Sequence, residues 1–201
     1  SAAEIGLIEE WIANGAPQSA RATTVDSNEL PTKEEPSGEA QPPIPSGARR
    51  AQAPRADVDW DSIESSDPLA AARAMSALAE RGAVAKQIFL GTEAVEVNFS
   101  LLGGEVTNED LSLLSGLEQT LVWLNLAGTS VEDQGLEHLS EFKQLRQLHL
   151  ERTGIGDAGL RYLTGLSHLD YLNLYGTQVT DAGLSTLESI PSLRELYLWN
   201  S

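Results

Sequence analysis

The sequence predicts an α/β repeat fold in which short parallel strands alternate with helices. Residues 121–201 divide into frames of 24 residues, LVWLNLAGTSVEDQGLEHLSEFKQ, LRQLHLERTGIGDAGLRYLTGLSH and LDYLNLYGTQVTDAGLSTLESIPS, followed by the partial frame LRELYLWNS. Seven positions are apolar in every complete frame; in the first they are Leu121, Leu124, Leu126, Val131, Leu136, Leu139 and Phe142. A fixed period of this length is the signature of a solenoid, in which each repeat packs on the next.

Within a frame, the leucine spacing changes from that of a strand to that of a helix. Leu-x-x-Leu-x-Leu places its leucines on one face of a half-buried strand. Gly-Leu-x-x-Leu-x-x-Leu, as in residues 159–166, has helical spacing. One strand and one helix cannot bury these leucines alone, so we expect a parallel sheet on the inside of the solenoid and helices on its outside.

Two polar residues recur in each frame. Thr129, Thr153 and Thr177 follow the strands, and we expect their hydroxyls to satisfy backbone groups of the turn. An aspartate recurs at each predicted helix start, where a carboxylate would cap free N–H groups and suit the helix dipole. These aspartates are Asp133, Asp157 and Asp181.

The frames resemble leucine-rich repeats, in particular the Thr-x-Val-Thr-Asp-Ala-Gly-Leu variety similar to the ribonuclease-inhibitor-like class. Threonine stands where many members of the family carry asparagine or cysteine. The resemblance covers roughly residues 94–201 and implies a leucine-rich-repeat solenoid. Its first repeat, residues 94–120, is irregular, as terminal repeats often are.

Residues 1–16 are predicted to form an amphipathic helix, which Ser1 and Glu4 begin with a capping box. The string Ser-Ala-Ala-Glu-Ile…Ile-Glu-Glu-Trp-Ile-Ala-Asn-Gly-Ala-Pro resembles the last helix of Planctomycete-type cytochrome c domains, some of which are fused to leucine-rich repeats. That family's haem-attachment Cys-x-x-Cys-His would lie upstream of Ser1. The resemblance therefore implies haem c in an upstream part, no cofactor in this chain, and a bacterial, extracytoplasmic (periplasmic or cell-surface) location.

Two further segments precede the repeats. Residues 17–57 hold seven of the nine prolines and few large aliphatic residues, a composition that predicts a disordered linker. Residues 58–93 are predicted to cap the solenoid with a helix that begins at Asp67-Pro68 and ends at Gly82. Two strands follow in the prediction, over residues 84–90 and 95–99. Without an initiator Met or signal peptide, and with its end inside a repeat strand, the sequence is expected to be a fragment.

The composition excludes several classes of function. A net charge of −17, of which residues 58–201 carry −13, disfavours nucleic acid and anionic membranes as partners. The absence of cysteine excludes thiolate metal sites and cysteine nucleophiles. No apolar run is long enough to span a membrane.

Gly154, Gly156 and Gly159 spell a dinucleotide fingerprint, but the frames on either side show that they belong to a repeat turn. No convergent catalytic or metal-binding set exists, so we predict that the protein is not an enzyme.

The strand positions between the leucines form the concave face, which we define by three columns of residues. Parallel strands about 4.8 Å apart would join the columns into one surface. The first column is Glu96, Trp123, Gln147, Tyr171 and Glu195; the second is Asn98, Asn125, His149, Asn173 and Tyr197; the third is Ser100, Ala127, Glu151, Tyr175 and Trp199. These columns hold five of the eight tyrosine and tryptophan residues.

Such an aromatic surface predicts a site for a protein or peptide, because large amphipathic rings act as anchors. The alternative is that the rings stack across strands as a stabilising ladder. A glycan is a further candidate ligand, and Glu96, Glu151 and Glu195 would rim the face and favour a basic partner. The predicted site residues are Trp123, His149, Glu151, Tyr171, Tyr175, Glu195, Tyr197 and Trp199. A different hypothesis is an interaction arm of a c-type cytochrome in electron transfer.

Overall fold

The computed structural model describes residues 58–199, which fold as an α/β leucine-rich-repeat solenoid on a six-stranded sheet, as the sequence predicts. Strand β1 is antiparallel to β2, and β2 to β6 are parallel and follow one another in chain order. The strands are β1 (Val84–Gln87), β2 (Val95–Asn98), β3 (Leu121–Asn125), β4 (Gln147–His149), β5 (Tyr171–Asn173) and β6 (Glu195–Tyr197). The predictions for residues 1–16 and 17–57 lie outside the described residues.

The cap helix has the predicted bounds, whereas some of the helical segments of the repeats are the tighter 3-10 helices. The α-helices are α1 (Pro68–Arg81), α2 (Asp157–Leu160) and α3 (Asp181–Leu187); 3-10 helices span Trp60–Ser62, Gly103–Glu105, Asn108–Leu114, Asp133–Leu139 and Arg161–Leu163. A 3-10 helix has three residues per turn, so leucines spaced by three residues align on its buried side. The repeat leucines have this spacing, so it suits the 3-10 helix Asp133–Leu139, although Asp181–Leu187 has the same spacing and stays an α-helix. None of these helices within residues 58–199 is long and apolar enough to cross a membrane.

The core follows the repeat frame. Twenty of the 21 recurrent apolar positions lie in one hydrophobic cluster, and the remaining one, Leu184, is partly buried and packs against it. Burying one leucine contributes about 1.5–3 kcal/mol, so stacked layers of leucine provide the main stabilisation of the repeats. The prediction that the recurrent apolar positions form the core is confirmed.

The recurrent threonines close the turns after the strands. The hydroxyls of Thr129, Thr153 and Thr177 donate to the carbonyl oxygens of Leu126, Leu150 and Leu174 at 2.7, 2.7 and 2.8 Å. All three threonines are buried. Each carbonyl also accepts from the backbone N–H of the same threonine at 3.2–3.3 Å, so the hydroxyl adds a second, shorter hydrogen bond to a backbone group of the turn, as predicted.

Two of the recurrent aspartates, Asp133 and Asp157, bond to the next repeat, which corrects the prediction that they cap their own helices. Asp133 is the first residue of its 3-10 helix, and its Oδ1 accepts from the N–H of Gly156 in the next repeat at 2.7 Å. Asp157 likewise accepts from the backbone N–H and the hydroxyl of Thr180, both at 2.7 Å. The N–H of Thr180 and then its hydroxyl hold the pKa of Asp157 below its usual value. The prediction was wrong because sequence periodicity does not show whether a side chain bonds within its own repeat or to the next one.

The glycine of each Asp-x-Gly-Leu segment makes room for the aspartate of the preceding repeat. A Cβ at Gly159 would lie 2.6 Å from Oδ1 of Asp133 and 3.2 Å from its Cα. Gly183 faces Asp157 in the same way, and Gly135 faces Asn108 of the irregular first repeat. Glycine is therefore required here by the close approach of a neighbouring carboxylate or amide.

Helix α1 packs on the first repeat at the start of the solenoid. Asp67 Oδ1 accepts from the N–H groups of Leu69 and Ala70 at 3.1 and 3.0 Å, and Gly82 ends the helix in the left-handed region. Gly116 lets the helix approach, because a Cβ there would lie 2.9 Å from the carbonyl of Ala70. Arg81 Nε also donates to Asp110 Oδ1 at 2.6 Å. These contacts attach α1 to the irregular repeat.

Gly159→Ala is expected to lower the free energy of unfolding by about 1–3 kcal/mol, because the methyl group meets the Asp133 carboxylate. In an Asp133→Ala background the same change should cost about 1 kcal/mol less, since the carboxylate is gone. Urea unfolding of the four proteins in this cycle measures the difference.

Gly104→Ala is the control for this cycle, because its Cβ would make an ordinary 3.5 Å contact with Ser130 Oγ. Its effect should stay within about 0.5 kcal/mol. Equal costs for Gly159→Ala in both backgrounds would contradict the proposed contact.

Candidate functional site

The sheet aligns the first two columns of the concave face in the predicted register. Glu96, Trp123, Gln147, Tyr171 and Glu195 are successive partners across β2 to β6. Asn98, Asn125, His149, Asn173 and Tyr197 are partners in the same way. Strand periodicity is therefore sufficient to place these ten side chains on one face.

The third column lies just beyond the strands. The N–H groups of Gly128, Arg152 and Gly176 donate to the carbonyls of Glu151, Tyr175 and Trp199 at 2.7, 2.8 and 2.9 Å. These bonds keep the chain aligned between neighbouring repeats after the regular pairing ends. Glu151, Tyr175 and Trp199 thus occupy one edge of the concave face.

Asparagine side chains shape the transition from strand to turn. Oδ1 of Asn98, Asn125 and Asn173 accepts from the N–H two residues later, at 2.8, 2.9 and 3.1 Å. Sequence reasoning placed these residues in a column without giving them a role. Their recurrence at the same frame position was the available signal, because asparagine readily bonds to backbone two residues ahead.

His149 takes the asparagine position in the second complete frame and forms a different cluster. Its Nδ1 lies 3.0 Å from Oε1 of Glu151, which also accepts from Nδ2 of Asn173 at 2.6 Å. Glu151 is thus part of a hydrogen-bonded cluster within the face. This finding corrects the prediction that Glu151 belongs to an open acidic rim.

The other two predicted rim acids are also placed by neighbouring groups. Glu96 forms an ion pair with Lys86 at 3.3 Å across β1 and β2. Glu195 lies close enough to Tyr171 and Tyr197 for its charge to raise the pKa of both phenols. Each of the three predicted rim carboxylates therefore interacts with a neighbouring group of the sheet.

Three rings stack diagonally across the face. The Tyr171 ring centroid lies 4.8 Å from that of His149 and 5.3 Å from that of Tyr197, with tilted planes. Tyr171 is only 9% exposed, so it supports the face from below and is not the open anchor that the sequence suggested. The predicted alternative, an aromatic ladder, is present at these three residues.

Burial strongly perturbs Tyr171. Loss of solvation, together with the charge of Glu151, raises the pKa of Tyr171 to about 12. Loss of solvation also raises the pKa of Tyr197, with a contribution from Glu195. Both hydroxyls therefore stay neutral well beyond physiological pH.

The remaining predicted site residues are more accessible. Tyr197 is 40% exposed and Trp199 is 67% exposed, while Trp123 and Tyr175 are half-buried. Arg152, which sequence reasoning did not select, places its guanidinium carbon 5.5 Å from the centroid of the Tyr175 ring. No group of three or more histidine, aspartate and glutamate side chains within residues 58–199 could hold a metal ion.

Comparison with known proteins supports the class that this fold defines. Residues 144–163 and 165–187 match the family model described as Leucine Rich repeat. Together with the parallel sheet, this match supports a leucine-rich-repeat fold for the repeats. No curated protein matches the chain.

Parts of this chain are also similar to two solved structures. An internalin from Listeria monocytogenes strain 4b F2365 is 23% identical over 46% of this chain and 32% of its own, with a TM-score of 0.34. A structure named Leiomodin-1 Actin-Binding Site 2 is 20% identical over 52% of this chain and 69% of its own, with a TM-score of 0.42. The chain thus spans about a third of the internalin.

The raised pKa of Tyr171 predicts a specific loss of stability in alkali. The neutral Tyr171 phenol contributes fully to the free energy of unfolding below pH 10, the usual pKa of tyrosine. As the pH rises from 10 through about 12, the unfolded chain ionises at this position before the folded one does. The free energy of unfolding should therefore fall over this range.

Tyr171→Phe keeps the ring and removes the ionisable hydroxyl, so its stability should fall less steeply with pH. Urea unfolding at several pH values between 10 and 12 compares the two slopes. Identical slopes would contradict the desolvated position of this phenol.

Proposed function

We propose that the leucine-rich repeats form a non-catalytic module that binds a protein or peptide on the concave face. The observation that carries this proposal is that the parallel sheet and its adjoining turns place Tyr175, Tyr197 and Trp199 together on one face. Exposed tyrosine and tryptophan provide much of the binding energy of protein interfaces, because their rings bury a large area at a small entropic cost.

The proposal is also supported by the arrangement of buried and accessible residues within the face. The leucines beneath it are buried, and the ring stack of His149, Tyr171 and Tyr197 fixes the surface from below. A surface held in place before binding loses little conformational freedom when a partner docks. The ladder and the binding site are therefore compatible, with Tyr171 supporting and Trp199 contacting the partner.

The partner class follows from the chemistry of the face. Its exposed aromatic groups favour apolar side chains, and the charge of −13 over residues 58–201 favours a partner that is basic overall. The same charge disfavours nucleic acid. A glycan that stacks on Tyr197 and Trp199 is a second ligand of the same site, and inhibition by simple sugars would distinguish it from a peptide.

A second proposal concerns the whole protein: the repeats serve as the interaction arm of a c-type cytochrome in electron transfer. Its support is the resemblance of residues 1–16 to the end of a cytochrome c domain, together with the linker composition of residues 17–57. A gene sequence that encodes Cys-x-x-Cys-His upstream of Ser1 would support it. An upstream sequence without that motif would contradict it.

Trp199→Ala and Tyr197→Ala should each weaken peptide binding by about 1–3 kcal/mol, because each removes an exposed aromatic contact. The probe is a peptide selected from a random display library against the whole chain, and fluorescence anisotropy measures its Kd. Urea unfolding of the same variants checks that the repeats stay folded.

Leu90→Ala is the matched control, since Leu90 is an exposed apolar residue between β1 and β2 and lies outside the three columns. Its Kd should equal that of the unchanged chain. Unchanged affinity in both aromatic variants would rule out the concave face as the site.

A further inference from the structure

One backbone position in each frame turns the chain away from the concave face in the left-handed region. It is occupied by Gly128 with φ 71°, Arg152 with φ 56° and Gly176 with φ 66°. Within residues 58–199, Arg152 is the only residue other than glycine with a positive φ. Because a Cβ is disfavoured in this conformation, glycine is the natural choice and arginine is strained. Strain retained at one repeat suggests that the side chain has a use.

The Arg152 side chain lies on the edge of the concave face. Its Cγ passes 3.3 Å from the position of a Cβ at Gly176, and its guanidinium carbon lies 5.5 Å from the centre of the Tyr175 ring. Because residue 176 is a glycine, there is space for the Arg152 side chain beside it. The left-handed turn and the Tyr175 ring thus hold the cation beside the third column.

The guanidinium has no carboxylate partner among residues 58–199, although acids outnumber bases in this part of the chain. The preceding Glu151 directs its Oε1 to His149 and Asn173 instead. Arg152 is exposed, and an arginine that lies on an aromatic ring keeps its N–H groups available at its edge. These planar donors match the two oxygens of a carboxylate.

We propose that Arg152 is a specificity-determining residue of the concave face and binds the carboxylate of an aspartate or glutamate in the peptide partner. This inference rests on the proposed function. The partner then carries an acidic residue at one position next to the apolar groups that contact Trp199. A single carboxylate fits this site better than a phosphate, because the negative charge of the repeats repels a dianion more strongly.

Parallel selections test the proposal. Random displayed peptides are selected against the whole chain and against its Arg152→Gly variant. The unchanged chain should enrich aspartate or glutamate at one position beside apolar residues, and the variant should lose that enrichment. The best peptide and its twin with glutamine or asparagine at the acidic position are then synthesised for measurement of Kd.

The unchanged chain should bind the acidic peptide about tenfold more tightly than its amide twin, a difference of about 1.4 kcal/mol. Arg152→Gly should bind the two peptides equally. Arg152→Lys should show an intermediate preference, since it keeps the charge and loses the planar fork. Arg161→Ala removes the same charge from the 3-10 helix Arg161–Leu163 and should leave the preference unchanged.

Stability separates this role from a structural one. Arg152→Gly restores the residue that its turn favours, so its urea midpoint should equal or exceed that of the unchanged chain. Selected peptides with no acidic position, or an equal acid preference in Arg152→Gly, would overturn the role of Arg152 and leave the binding face intact. Failure to select any peptide that binds the unchanged chain would overturn the proposed function, and this inference with it.

Discussion

The stacking of each repeat on the next is the interaction on which the rest of the structure depends. A single frame of 24 residues has one short strand and a helix of about two turns, and neither can bury its leucines without a neighbour. Backbone bonds such as that from Leu126 N–H to His149 O extend this dependence to the polar groups. Stability is therefore a property of the contacts between repeats.

The aspartate and glycine of neighbouring frames make the stacking specific in register. The Asp133 carboxylate bonds to Gly156 and lies against Gly159, so the acceptor and the space for it come from different repeats. A slip of one residue between neighbouring frames would place a side chain against the carboxylate and leave an N–H without an acceptor. The same register aligns the columns of the concave face.

A fixed register turns a row of separate side chains into a surface. Tyr171 stacks between His149 and Tyr197 because strands β4 to β6 bring one residue from each frame together. The rings lie at different depths, and this difference separates their roles. Buried Tyr171 fixes the geometry of the ring cluster, while Trp199 lies outside that cluster and is the residue that we propose to contact a partner.

Much of the fold and part of the site could be predicted from the frame. The period of 24 residues predicted the core, and alternation along the strands predicted the first two columns. The threonine hydroxyls were predictable because their acceptors lie three residues away in the same turn. The burial of Tyr171 could not be predicted, because it depends on how far the neighbouring rings cover it.

Sequence alone therefore determined which residues share a layer, because side-chain direction repeats with the period of the strand and of the frame. Tertiary structure decided which groups meet across layers: Asp157 with Thr180, Glu151 with Asn173, and Arg152 with Tyr175. The physical reason is that periodicity describes positions along one chain. Hydrogen bonds, burial and ring contacts depend instead on distances between segments that only packing brings together.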